Sequence, residues 1–190
     1  MKPYIIVIYG KSSTGKDTLM NSILEEREFY HKVLRTTSRP QRVGEPNDNY
    51  EFLPDNVESF RPTDFVEYQF FRSWFYGTRK ENLSEGINIM TGSIDIVEDL
   101  QRDYSEEFYI FPIYLNLDDK SRMYRALGRE HKPDMHEVCR RFVSEIEQYD
   151  RLNQLENIGL QLDARKSIVE LTKQAIEQFD RYYMERLGVY

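Results

Sequence analysis

The stretch from Tyr4 to Leu19 constrains this chain more than any other. Tyr4-Ile-Ile-Val-Ile-Tyr9 is an apolar, β-branched run, the pattern of a strand buried on both faces. It ends on Gly10, and Lys11-Ser12-Ser13-Thr14-Gly15-Lys16 completes the spacing G-x-x-x-x-G-K. Glycines at 10 and 15 permit a tight turn in which successive backbone N–H groups face one anion. The helix expected from about Lys16 to Glu26, with Leu19, Ile23 and Leu24 on one face, aims the positive end of its dipole at the same point. Strand, glycine-bounded turn and helix in this order read as a phosphate-cradling loop. Gly10, Ser12, Ser13, Thr14, Gly15, Lys16, Asp17 and Thr18 would surround the nucleotide phosphates, with Lys16 reaching toward the β- and γ-phosphates. Loops of this pattern carry Ser or Thr after the lysine, to touch Mg²⁺. Here Asp17 stands there and Thr18 follows, so both are candidate Mg²⁺ ligands.

At 190 residues the chain has room for one domain with small insertions. Its 39% hydrophobic and 31% charged residues fit a soluble globular protein rather than a disordered one. No apolar run approaches the ~20 residues that span a bilayer, and the first strand begins too early for a signal peptide. With one cysteine, Cys139, no internal disulfide framework exists, and a reducing cytoplasm is expected. A net charge of −7 argues against general nucleic-acid binding. The balance reverses between Lys120 and Arg141, where seven Lys or Arg face three Asp or Glu, as a local anion site would require. His31, His131 and His136 lack metal-ligand spacing. The many aromatics leave room for a dimerisation patch, so monomer and homodimer both stay open.

Along the chain, Val33 and Leu34 read as a short strand and Arg35 to Glu45 as a basic loop. Tyr50 to Leu53 reads as a strand and Pro54 to Phe60 as a short helix. Asp64–Phe71 and Ser73–Tyr76 form an aromatic antiparallel pair, after which Gly77-Thr78 turns into a helix carrying Leu83. Ile87–Met90 is a buried strand, and Ser93 caps a helix with Ile94, Val97 and Leu100 at helical spacing. A strand over Phe108–Leu117, helices over Asp118–Leu127 and Met135–Asn157, a short strand at Leu160–Leu162 and a helix ending near Tyr183 complete the reading. The alternation implies an α/β fold, a parallel sheet wrapped by helices, interrupted by a β-rich insert.

In order and spacing these motifs resemble the guanylate kinase family, a branch of the P-loop nucleoside monophosphate kinases, from about Tyr4 to Asp180. The family's T-T-R-x-P-R-x-G-E is matched by Thr37-Ser38-Arg39-Pro40-Gln41-Arg42-Val43-Gly44-Glu45, with the proline one place early. Its D-Y-x-F is matched by Asn49-Tyr50-Glu51-Phe52. Its E-W-x(6)-Y-Y-G-[ST] appears as Glu67-Tyr68 followed by Phe75-Tyr76-Gly77-Thr78, with Glu67 and Tyr76 nine apart. Thr91 and Ser93 fall where the family has the two aspartates of D-I-D, and Asp95 follows two residues later. The lid motif R-x-R-G-R, then R-R, is matched by Arg125-Ala-Leu127-Gly-Arg129 and Arg140-Arg141.

The resemblance implies ATP-dependent phosphorylation of GMP or dGMP, with ATP and Mg²⁺ as cofactors. It also implies a P-loop kinase core over 1–34, 78–127 and 137–190, an acceptor-binding insert over 35–77 and a lid over 128–136. Arg39, Arg42, Tyr50 and Tyr76 would hold the acceptor phosphate, a role suited to arginine forks and phenol hydroxyls. Glu67 would accept from guanine N1–H and its amine, Thr78 would contact the base oxygen, and Ser93 would lie at the base. Lys16, Arg39, Arg129 and Arg141 would be catalytic, with Arg125 or Arg140 next. The acceptor is already ionised, so the chemistry is alignment and charge neutralisation. Two alternatives follow from the departures: a kinase of the same fold for another nucleoside monophosphate or a sugar phosphate, and an inactive guanylate-kinase-like protein-binding module.

Overall fold

The structure is a computed structural model that describes residues 2–41, 50–53, 61–71, 74–128 and 134–189. Its centre is a five-stranded parallel sheet built on β1 (Tyr4–Tyr9). β1 pairs in register with β7 (Ile87–Gly92) on one side and β8 (Tyr109–Asn116) on the other. β2 (His31–Lys32) lies outside β7, and β9 (Leu160–Asp163) outside β8. All six side chains of β1 are buried, as a strand covered on both faces requires. Ile6 and Ile8 pack with Leu19 and Ile23 of α1 (Lys16–Glu26) and with Leu171 and Phe179 of α5 (Ile168–Arg186). Ile5 and Val7 face the other way, toward Ile94, Val97 and Leu100 of α2 (Ile94–Tyr104). The two periodicities meet here: alternation along the strand feeds two helical layers, each with its own apolar stripe. Strand neighbours depart in both directions from β1, which opens a crevice at its carboxyl end.

A second sheet of four strands contains β3 (Arg35–Thr37), β4 (Tyr50–Phe52), β5 (Phe65–Phe71) and β6 (Trp74–Arg79), in the order β4-β3-β6-β5. β3 runs parallel to β4 and antiparallel to β6, and β5 and β6 form the expected antiparallel pair. Val66 packs in the α2 cluster, and the Tyr104 hydroxyl donates to the Phe65 carbonyl at 3.3 Å, which fastens this sheet to the core. The remaining helices are α3 (Asp119–Gly128) and α4 (Met135–Asp150).

Several boundaries differ from the sequence reading. Arg35–Thr37, expected in a loop, is a strand, because its backbone finds partners on both sides. The strand expected at Val33 falls at His31–Lys32, and Val33 follows it, its N–H bonded to the Ile89 carbonyl. Gly77-Thr78 does not turn. β6 continues to Arg79, and a Cβ on Gly77 would come within 2.7 Å of the Phe65 and Phe75 rings, so this glycine serves packing. The helix expected to carry Leu83 is a single 3₁₀ turn over Lys80–Asn82. α4 stops at Asp150 rather than Asn157 and gives way to a 3₁₀ turn at Leu152–Gln154. α5 begins on a capping box made by Ser167 and Glu170 and runs to Arg186. The helix expected over 54–60 lies outside the described residues.

Candidate active site

The loop from Gly10 to Lys16 leaves the end of β1 with left-handed backbone at Ser13 (φ 65°) and Gly15 (φ 99°). At Gly10 a Cβ would lie 2.6 Å from the Leu115 carbonyl oxygen, so only glycine lets the loop pass so close to β8. Thr14 is buried, and its hydroxyl donates to the Lys11 carbonyl at 2.9 Å. The ammonium of Lys16 folds back onto the Gly10 and Lys11 carbonyls at 2.8 and 3.1 Å. Desolvation pulls its pKa below the ordinary lysine value, against the pull of Asp17 and Glu145.

Two arginines of α3 hold this loop from behind. Arg122, fully buried, donates from Nε to the Ser12 carbonyl at 2.9 Å and pairs with Asp119 and with Glu145 of α4. Glu145 in turn accepts the Ser12 backbone N–H at 2.7 Å. Arg125 donates to the Thr14 carbonyl at 3.1 Å and the Ala164 carbonyl at 2.8 Å, which ties the loop to the segment after β9.

A cleft of about 260 Å³ opens where the loop faces the second sheet. Gly10, Ser12, Lys16 and Asp17 line one side of it, Arg35, Tyr50, Gln69 and Tyr76 another, and Thr91, Ser93, Glu145 and Tyr149 contribute to the rest. Asp17 accepts a hydrogen bond from the Thr91 hydroxyl at 3.2 Å. Their oxygens are the hard donors Mg²⁺ prefers, so this corner suits the ion, although the described residues hold no cluster of three or more His, Cys, Asp or Glu that could bind a metal alone. Thr18 is exposed and does not line the cleft, so the hydroxyl beside Asp17 comes from Thr91 instead.

The acceptor-side residues fall differently from the sequence expectation. Tyr50 and Tyr76 do meet, with ring centroids 6.2 Å apart, and both line the cleft. Glu67 is buried behind them. Arg35 donates to its Oε1 from Nε at 3.2 Å and Nη2 at 2.9 Å, and the Thr78 hydroxyl donates to the same oxygen at 2.6 Å. In this arrangement the one hydroxyl hydrogen of Thr78 goes to Glu67. Burial opposes the charge of Arg35, and the Glu67 carboxylate, with Tyr50 and Tyr76 nearby, outweighs that and holds its pKa above the ordinary range.

Arg39 is buried, with its guanidinium over the Tyr50 and Phe52 rings and bonded to the Pro40 carbonyl, and it does not line the cleft. Ser93 occupies the N-cap position of α2 without making a cap bond, and its buried Oγ has no partner among the described residues. Asp95 turns to Gln148 and Arg151, so it does not replace the family's aspartate at the cleft. Arg140 and Arg141 both bond to Glu137 within α4. Arg42 and Arg129 lie outside the described residues. Sequence reasoning missed Arg35, Gln69, Arg122, Glu145 and Tyr149. Arg35 had shown only as the first residue of a basic loop, and Arg122 only as part of the basic island.

No family model matches the chain. Among curated proteins it is 28% identical to the guanylate kinase of Trichormus variabilis over 160 residues, covering 78% of this chain and 79% of that one. It is 24% identical over 176 residues to the guanylate kinase of Caldanaerobacter subterraneus, covering 88% and 84%. Among solved structures, guanylate kinase from Anaplasma phagocytophilum superposes with a TM-score of 0.65 at 16% identity, over 97% of this chain and 88% of that one. A gluconokinase from Sinorhizobium meliloti follows at 0.56 and 13%, over 99% and 97%, so the core is shared more widely than one family. By sequence over most of its length and by fold, this chain is a distant relative of the guanylate kinases.

Proposed function

We propose that the chain is a nucleoside monophosphate kinase that transfers the γ-phosphoryl group of ATP to GMP or dGMP, giving the diphosphate and ADP. The observation that carries this reading is the shared cleft: the Gly10–Lys16 loop and the tyrosines of the second sheet open onto one space. The loop amides and Lys16 would bind the donor phosphates, and the Lys16 ammonium would exchange two carbonyl partners for phosphate oxygens. Tyr50 and Tyr76 offer neutral donors to the acceptor phosphate, which needs no general base. Asp17, with Thr91, would hold Mg²⁺, which supplies charge neutralisation on the phosphates when bound. Arg141, in the first half of α4, bears on Lys16 electrostatically and would approach the transferring group from that helix. Intact phosphate-loop geometry speaks against a protein-binding module, which has no use for it.

The test is ADP release from Mg-ATP with GMP, dGMP, AMP, CMP, UMP or no acceptor, alongside Lys16→Met. Turnover confined to GMP and dGMP and lost in the variant is expected. Turnover confined to a different base would move the acceptor assignment, and an absence of ATP binding would remove the kinase reading.

A further inference from the structure

We propose that Arg35 reads the acceptor base through two hydrogen-bond acceptors on one purine edge, O6 and N7, and that Glu67 and Thr78 position it. The substrate class is then 6-oxopurine monophosphates, with inosine monophosphate (IMP) accepted alongside GMP. This rests on the nucleoside monophosphate kinase reading above.

The argument starts from what the cleft exposes. All three acceptor-sheet residues are buried, Arg35 at 7%, Glu67 at 4% and Thr78 at 0% exposure, but only Arg35 lines the cleft, and Glu67 and Thr78 are bonded in sequence behind it. A base entering from the Tyr50 and Tyr76 side meets a cation where the resemblance implies a carboxylate. Only Asp17 and Glu145 bring carboxylates to the described cleft lining, and both are engaged on the phosphate-loop side, by Thr91 and by Ser12 with Arg122. Ser93, at the family's aspartate position, brings no charge. On the acceptor side, then, no carboxylate among the described residues faces the cleft to accept the N1–H and amine of guanine.

Arginine has five N–H donors, and among the described residues Arg35 uses Nε and Nη2 on a single oxygen of Glu67. Nη1 and the second hydrogen of Nη2 remain. Two parallel donors match the O6 and N7 acceptors of guanine, a pair that hypoxanthine shares. Adenine places an amine donor beside N7, so donor would meet donor. Strand geometry fixes the arginine: β3 pairs Arg35 with Tyr50 of β4, and the Glu67 and Thr78 bonds hold the guanidinium from behind.

The experiment compares binding by calorimetry, and turnover with Mg-ATP, of GMP, IMP, 7-deaza-GMP and AMP on the wild-type chain and on Arg35→Met and Glu67→Gln. IMP is expected within about fivefold of GMP, while 7-deaza-GMP, lacking the N7 acceptor, falls about tenfold or more, and AMP about a hundredfold. Arg35→Met should bring the GMP to 7-deaza-GMP ratio close to one. Glu67→Gln should narrow that ratio without setting it to one, a change that loss of folding alone does not produce. The wild-type comparison needs no variant, so a poorly folded Arg35→Met leaves the test intact. A hundredfold preference for GMP over IMP, or equal handling of GMP and 7-deaza-GMP, overturns the assignment of Arg35. An equal loss on every acceptor in Arg35→Met overturns it too, and assigns the residue to the phosphate. Failure to bind or phosphorylate any nucleoside monophosphate instead removes the kinase reading beneath it.

Discussion

The Glu145 carboxylate accepts the backbone N–H of Ser12 at 2.7 Å, so a side chain from α4 rests in the anion cradle of the phosphate loop. Arg122 holds that carboxylate from the other side. A phosphate entering the cradle competes with a negative charge already there. Glu145→Gln keeps the shape and removes the charge. ATP affinity should rise about fivefold, the equivalent of about 1 kcal/mol. Stability should fall by about 1 to 3 kcal/mol, because the buried Arg122 exchanges one of its two carboxylate partners for a neutral amide and keeps only Asp119. Calorimetry and urea denaturation read the two effects. Unchanged affinity would mean that Glu145 stands clear of the phosphate path.

Lys16 sits in a desolvated position that lowers its pKa. A lysine with a depressed folded pKa binds fewer protons than in the unfolded chain, so its burial costs stability at neutral pH and the cost fades as pH rises toward the ordinary lysine value. Lys16→Met should therefore melt at the same temperature as the wild type or higher at pH 7, with the gap closing toward pH ~10. The same variant should lose ATP turnover by about a thousandfold. A large drop in melting temperature at pH 7 would contradict the sign.

The parts legible in the sequence were those with local causes. The β1 run and its two glycines announced strand and loop, because burial on both faces and left-handed backbone leave marks in residue type. β3 left none: Arg35-Thr36-Thr37 is polar, and its extended form comes from partners on β4 and β6 far along the chain. Gly77 carried a turn signal, yet its cause is two phenylalanine rings pressed against its Cα. Tyr50 and Tyr76 of the cleft were found by motif spacing, whereas Tyr149 was not. The partner that takes Glu67 was not, since Arg35 lies thirty-two positions earlier and no period connects them. Glu145 was hidden for the same reason, as an acidic residue among many on a helix.

Glu137 gathers both arginines at the start of α4. It accepts from Arg140 at 2.8 and 2.9 Å and from Arg141 at 2.7 Å. Hydrogen bonding from Arg140 first, then Arg141, draws its pKa down to about 2 against the pull of desolvation. A carboxylate with a depressed folded pKa stabilises above its unfolded value, and that stability is lost as pH falls through the folded one. The group is a quarter exposed, so the contribution is discounted to about 1 kcal/mol. Wild type should exceed Glu137→Gln in denaturation free energy by that amount at pH 7, with the difference shrinking below pH ~4 and most of it lost as pH falls through about 2. A gap that stays undiminished between pH ~4 and pH ~2 would point to packing rather than charge.

Arg125 separates two readings of the basic island. By motif it stood next in line to close on the transferring phosphoryl group, whereas its guanidinium bonds to the Thr14 and Ala164 carbonyls and braces the loop from outside the cleft. A residue that braces the ground-state loop alters how well ATP binds. A residue that touches the developing charge alters the chemical step. Arg125→Met should accordingly raise the KM for ATP about tenfold and lower stability by about 1 to 3 kcal/mol, as the two carbonyls lose a charged donor, with kcat reduced only about twofold. Steady-state kinetics with ATP varied at saturating acceptor, paired with thermal unfolding, tests this. A hundredfold loss in kcat at unchanged KM and stability would return Arg125 to the phosphoryl group. Intermediate behaviour in which KM and kcat both move would tie loop position to the chemical step, because Lys16 and Arg125 hold the two ends of the same short turn.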